Sequence, residues 1–131
     1  MTLTGITKLA IDTAPVIYFI EEHPQYGPCV EQVFQAISHG SITGVTSVIT
    51  LTEVLIHPLH EKNVSLAAQY RDLLLFSDHF LCLPMDPAIA ECAAMLRASY
   101  ALRTPDAIQI ATALVTGCEA LCTNDATMRR V

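Results

Sequence analysis

The sequence predicts an α/β fold of three layers, with a mostly parallel central sheet of four strands, or five, flanked by helices. Three observations predict it. Short apolar or β-branched runs alternate with helix-patterned segments along the whole chain, the order that builds a parallel sheet with right-handed crossovers. The 131 residues suit one domain with a sizeable core, and they contain no linker, repeat or low-complexity segment. Hydrophobic residues make up 52% and charged residues only 15%, a greasier balance than an average globular domain.

Residues 8–12 (KLAID) read as a short buried strand ending in Asp12. Thr13 and Pro15 then start a helix, with Asp12 or Thr13 as its cap, and it stops before His23-Pro24. A second helix takes Pro28 in its first turn, puts Val30, Val33, Phe34 and Ile37 on one face and ends at Gly40. The alternating, β-branched stretch 42–48 is the second strand. The next helix runs from Ile49 to Ile56, and Pro58 ends it, leaving HPLHEKN as a loop. Ser65 to Phe76 is helical with Leu66, Tyr70, Leu73 and Leu74 on one stripe, and FLCLP at 80–84 is the third strand. Asp86-Pro87 opens a helix that turns Ile89, Cys92, Ala93 and Leu96 inward. Thr104-Pro105-Asp106 opens another, with Thr104 as cap, and Gly117 closes it. Residues 119–123 (EALCT) form the fourth strand, and Asp125 starts a final helix.

This order places four acidic residues on one edge. Asp12 and Asp125 directly follow strands one and four. Glu53 lies in the first turns of the helix leaving strand two. Asp106 begins the helix that runs back into strand four. All four therefore belong to the carboxyl edge, where open α/β sheets build their sites. Singly, each has a bland explanation: Asp12 and Asp125 as helix caps, Asp106 as a complement to a helix dipole worth roughly 0.3–1 kcal/mol, Glu53 as a surface residue. Glu53 is the hardest to explain so, because ITLTEVLI surrounds it with apolar neighbours. Two carboxylates about 4 Å apart repel by roughly 4 kcal/mol at an effective dielectric of 20, a large share of a stability of about 5–15 kcal/mol. A cluster of them calls for a proton or a cation, and an all-oxygen donor set suits Mg²⁺ or Mn²⁺.

Other chemistries fit less well. The net charge of −6 argues against a broad basic nucleic-acid surface, although Lys8, Arg97, Arg103, Arg129 and Arg130 can contact phosphates locally. Cys29, Cys82, Cys92, Cys118 and Cys122 are odd in number and sit in apolar stretches, so they read as buried free thiols. His57, His60 and Glu61 lack a fourth ligand and helical spacing for zinc. There is no glycine-rich phosphate loop and no DxD segment. The apolar runs are too short for a membrane span, and the N-terminus lacks a signal-peptide layout, so the expected location is cytoplasmic. The apolar excess suggests that a partner or a second copy covers part of the surface.

Four segments, IDTAPVIYFI, SVITLTEVL, LRTPDAIQIATAL and LCTND, occur in an order that resembles the PIN-domain family, most closely the VapC-like toxins of toxin–antitoxin pairs. The resemblance implies a Rossmann-like parallel sheet and a Mg²⁺- or Mn²⁺-dependent endoribonuclease acting on single-stranded RNA. It carries the family's acids to Asp12, Glu53, Asp106 and Asp125 as metal ligands, and its small polar residues to Thr13 and Thr123, with Asn124 alongside. It also implies a homodimer and a cognate antitoxin. Family members commonly continue through another helix and a closing edge strand. Here Val131 follows Asp125 closely, so the expectation is a domain without that strand or a chain cut before it. Two rival functions share the fold: a non-catalytic binding module acting through its dimer or partner surface, and a structure-specific DNA nuclease.

Overall fold

The computed structural model describes residues 3–123 and 128–130. Strands β1 (Lys8–Ile11), β2 (Thr43–Ser47), β3 (Phe80–Leu83) and β4 (Ala120–Cys122) pair in parallel in the order β3-β2-β1-β4. A fifth strand, β5 (Met128–Arg130), extends the sheet beyond β4. Of the four strands or five expected, the fifth is present, and it runs antiparallel at the edge beside β4. The reason is chain length. Only residues 123–127 separate β4 from β5, whereas a parallel return needs a crossover of a dozen or more residues. The final helix expected from Asp125 is not formed over Met128–Arg130, which pair with β4 as β5 instead; Asp125 itself lies outside the described residues.

The period of two in the strands sorts side chains between two helical layers. Leu9 and Ile11 of β1, with Ala120 and Cys122 of β4, face the main core, together with α1 (Thr13–Ile20), α2 (Gly27–Ser38), α3 (Val48–His60) and α4 (Val64–Phe76). Ala10 and Leu121 face the other way, onto α6 (Thr104–Val115), against which α5 (Pro87–Ser99) packs. Small residues (Ala10, Ala107, Ala111, Ala113) dominate that second layer, and they let α6 approach the sheet closely. Gly44 serves the main core in the same way. A methyl group there would lie 2.8 Å from Ile37 Cδ1, so glycine lets α2 settle onto β2.

Two helix ends differ from expectation. α3 continues through Pro58 to His60. Proline forfeits one helical N–H bond, but Pro58 is buried, and the turn beyond it is closed by the Asn63 N–H donating to the Pro58 carbonyl at 2.8 Å. His57 and His60 are therefore helical, near the negative end of the α3 dipole. At α6 the cap position belongs to Arg103, which makes no side-chain cap bond; the Thr104 hydroxyl instead accepts from Arg97 Nη1 at 2.9 Å. The five cysteines are free thiols, Cys118 and Cys122 buried and the others half-buried. Among the described residues, no helix is long and apolar enough to cross a membrane.

Candidate active site

Three helices begin at the carboxyl edge of the sheet. β1 ends at Ile11, and Asp12 becomes the N-cap of α1. β2 runs directly into α3, which carries Glu53 in its second turn. α6 brings Asp106 in its first turn. Asp12, Glu53 and Asp106 line one open cleft of about 600 Å³, along with Thr13, Arg103, Gln109 and Thr123. The structure therefore brings together five of the six site residues expected from the sequence; Asp125, like Asn124, lies outside the described residues.

Each acid has its own hydrogen-bond partners, and Thr13 serves two of them. Asp12 Oδ1 accepts from the Thr13 N–H at 2.8 Å, and the Asp12 N–H donates to the Cys122 carbonyl at 2.9 Å, tying β1 to β4 beside the site. The Thr13 hydroxyl donates to Glu53 Oε1 at 2.6 Å, a charge-assisted bond between α1 and α3. Arg103 Nε and Nη2 donate to Asp106 Oδ2 and Oδ1 at 3.1 and 3.4 Å. With side chains 79% and 39% exposed, that pair stands at the mouth of the cleft.

A buried polar chain lies behind the acids. Gln109 Nε2 donates to Thr50 Oγ1 at 2.6 Å, Thr50 and Thr46 hydroxyls meet at 2.8 Å, and Thr46 donates to the Ile11 carbonyl at 2.7 Å. Sequence reasoning missed these residues. Their signal was polar groups inside apolar helices, Thr50 in SVITLTEVL and Gln109 in DAIQIATAL, of the kind that needs partners when buried.

Burial, more than any other influence, pushes the Asp12 carboxyl above its ordinary value of 3.8. The charges of Asp106 and Glu53 add to the rise, while the Thr13 N–H and Arg103 oppose it. The folded protein thus holds this proton more tightly than the unfolded chain does. In metal-free buffer, the Asp12 contribution therefore lowers stability as pH rises from about 3.8 through the elevated native value. Urea midpoints in EDTA should show wild type losing ground to Asp12→Asn between pH 4 and pH 7. A difference that does not change with pH would contradict the raised value.

The donor set fits a hard cation. It consists of carboxylate and hydroxyl oxygens, without thiolate or imidazole at the cleft, and the mutual repulsion felt at Asp12 marks negative charge that the protein does not fully neutralise. The side chains are not drawn into a closed cage: among the described residues, no three Asp, Glu, His or Cys groups are arranged to hold an ion directly. Of the four acids expected to cluster, the three described ones line the cleft without closing on a common point, and Asp106 is turned to Arg103. Mg²⁺ tolerates such spacing, since it keeps several waters and uses few protein carboxylates.

The family model for the PIN domain matches residues 9–131. No curated protein gives a significant match. Among solved structures, a toxin–antitoxin complex from Klebsiella pneumoniae is similar at a TM-score of 0.68 and 26% identity, over 88% of this chain and 84% of that one. VapBC2 from Rickettsia felis, solved with a DNA fragment from its promoter, matches at 0.70 and 16% identity, over 90% and 88%. VapC20 from Mycobacterium tuberculosis, a toxin that cleaves the sarcin–ricin loop, matches at 0.69 and 12% identity, over 86% of both chains. The last two likenesses concern the fold. With the match running from β1 to the final residue, a β3-β2-β1-β4 strand order and an acid-lined carboxyl edge, the chain belongs to the PIN-domain family.

Proposed function

We propose that this protein is a Mg²⁺- or Mn²⁺-dependent endoribonuclease that hydrolyses single-stranded RNA as the toxin of a toxin–antitoxin pair. The observation that carries this reading is the meeting of Asp12, Glu53 and Asp106, from three separate elements, in one cleft of a PIN-family chain. Nucleases of this family generally use divalent metals. Asp12, Glu53 and Asp106 would hold the ion, with Asp125 completing the set from the adjoining segment. A cation bound there would polarise the scissile phosphate and lower the pKa of the attacking water.

The chain's own groups do the remaining work. The Thr13 hydroxyl fixes the Glu53 carboxylate, and its N–H fixes Asp12. The N-termini of α1 and α6 direct their dipoles toward the cleft, which favours a phosphate. Thr123, at the end of β4, lines the same cleft and offers a hydroxyl to carboxylate, water or phosphate. Arg103 at the mouth can exchange Asp106 for a phosphate of the RNA. An antitoxin partner is supported by similar structures solved as toxin–antitoxin complexes. A covering protein or second copy, as in a homodimer, is supported by Ile56 and Leu59 of α3 and Val64 and Phe76 of α4, all exposed.

Single-stranded RNA and branched DNA digested side by side, with Mg²⁺ or with EDTA, test the reading. Cleavage of the RNA alone, only with the metal, and leaving 5′-phosphate and 3′-hydroxyl ends, is expected. Cyclic phosphate ends or cleavage in EDTA would overturn it. Arg103→Ala removes both a competitor for Asp106 and a phosphate contact. The half-saturating Mg²⁺ concentration should fall about two- to fivefold while the RNA KM rises by a similar factor at low salt. A rise in the Mg²⁺ requirement would contradict this role.

A further inference from the structure

The buried hydrogen bonds behind the cleft have a determined direction. The Ile11 carbonyl can only accept, so Thr46 spends its single proton there. Thr50, 2.8 Å away, must therefore donate to Thr46. Its oxygen then accepts from Gln109 Nε2 at 2.6 Å. The Gln109 amide cannot be reversed, because its Oε1 accepts from the Ser47 N–H at 3.4 Å. The order runs from the Gln109 amide to Thr50, to Thr46, to the Ile11 carbonyl, with Thr50 0% and Gln109 3% exposed. Among the described residues, no buried side-chain polar atom lacks a partner, so the chain closes without water.

Its members bracket the acids. Ile11, the last residue of β1, immediately precedes Asp12; Thr50 lies one helical turn before Glu53 on α3; Gln109 lies one turn after Asp106 on α6. Thr13, which donates to Glu53, touches Thr50 at 3.4 Å. One connected set of bonds thus ties the end of β1, which leads directly into Asp12, to α3 and α6, which carry Glu53 and Asp106, and it crosses the sheet from the α6 layer to α3. We infer that Gln109 and Thr50 are positioning residues, which hold β1, α3 and α6 in the register that lets Asp12, Glu53 and Asp106 share one cation. The inference rests on the metal-site reading above.

The test is Mn²⁺ binding to the RNA-free protein by calorimetry, alongside melting in EDTA. Wild type, Asp12→Asn, Thr50→Val, Thr50→Ser and Gln109→Leu are compared. Thr50→Val and Gln109→Leu should weaken Mn²⁺ binding about 10–100-fold, the range for partners that orient ligands, and Thr50→Ser, which keeps the hydroxyl, should restore it. If wild type binds Mn²⁺, Asp12→Asn does not, and the Thr50 and Gln109 variants bind as wild type does with only a lower Tm, the positioning role is overturned. If wild type itself binds no Mn²⁺, the metal-site reading fails and this inference with it. Should the apolar variants not fold, wild-type NMR decides. The Gln109 side-chain amide protons should be protected from exchange and should shift on Mg²⁺ addition, and rapid exchange with no shift would overturn the proposal.

Discussion

Asp12→Asn should lower RNA cleavage by about 10²–10³-fold, because metal stabilisation of the transition state is worth several kcal/mol and each 1.36 kcal/mol is tenfold. Asparagine still accepts from the Thr13 N–H and caps α1 nearly as well as aspartate, so loss of activity should not come from unfolding. In EDTA the variant should match or exceed wild type in stability near pH 7, since burial and the charges of Asp106 and Glu53 disfavour the ionised carboxylate. Wild type should instead be stabilised by Mg²⁺, by about 2.7 kcal/mol at a hundredfold excess over Kd, and the variant should not. Undiminished cleavage by Asp12→Asn would remove Asp12 from the site.

Leu9→Ala should have the largest effect on stability alone. Leu9 is fully buried in β1, on the face that meets α1 to α4. Its truncation should cost about 2–5 kcal/mol, transfer and cavity combined, out of a total of about 5–15 kcal/mol. Urea unfolding should show a lower midpoint with an unchanged slope. Activity per folded molecule should persist, because Leu9 lies outside the cleft. A loss below about 1 kcal/mol would contradict its place in the core.

The sequence itself places Asp12, Glu53 and Asp106, because strand–helix order alone sends each to the carboxyl edge. Strands β1 to β4 could be read too, as short apolar or β-branched runs between helix-patterned segments. Three features could not. Pro58 looked like a helix stop because local propensity favours one; burial of its ring and the Asn63 bond to its carbonyl outweigh that preference. The direction of β5 depends on a short connection rather than on composition. The link from Gln109 through Thr50 and Thr46 to Ile11 joins residues as far as 98 positions apart; a sequence shows each polar residue but not its partner. Arg103 reads from the sequence as a phosphate contact, and the structure adds its hold on Asp106, which depends on where α6 begins.

The most direct measurement is the anomalous difference map of a crystal soaked in Mn²⁺. A single strong peak in the cleft, within coordination distance of oxygens from at least two of Asp12, Glu53 and Asp106, is the expected result, with Arg103 released from Asp106 where Asp106 is a ligand. A cleft without a peak at Mn²⁺ concentrations that support cleavage, or a peak held by His57, His60 or any other group away from the three acids, would contradict the claim that these carboxylates form the metal site.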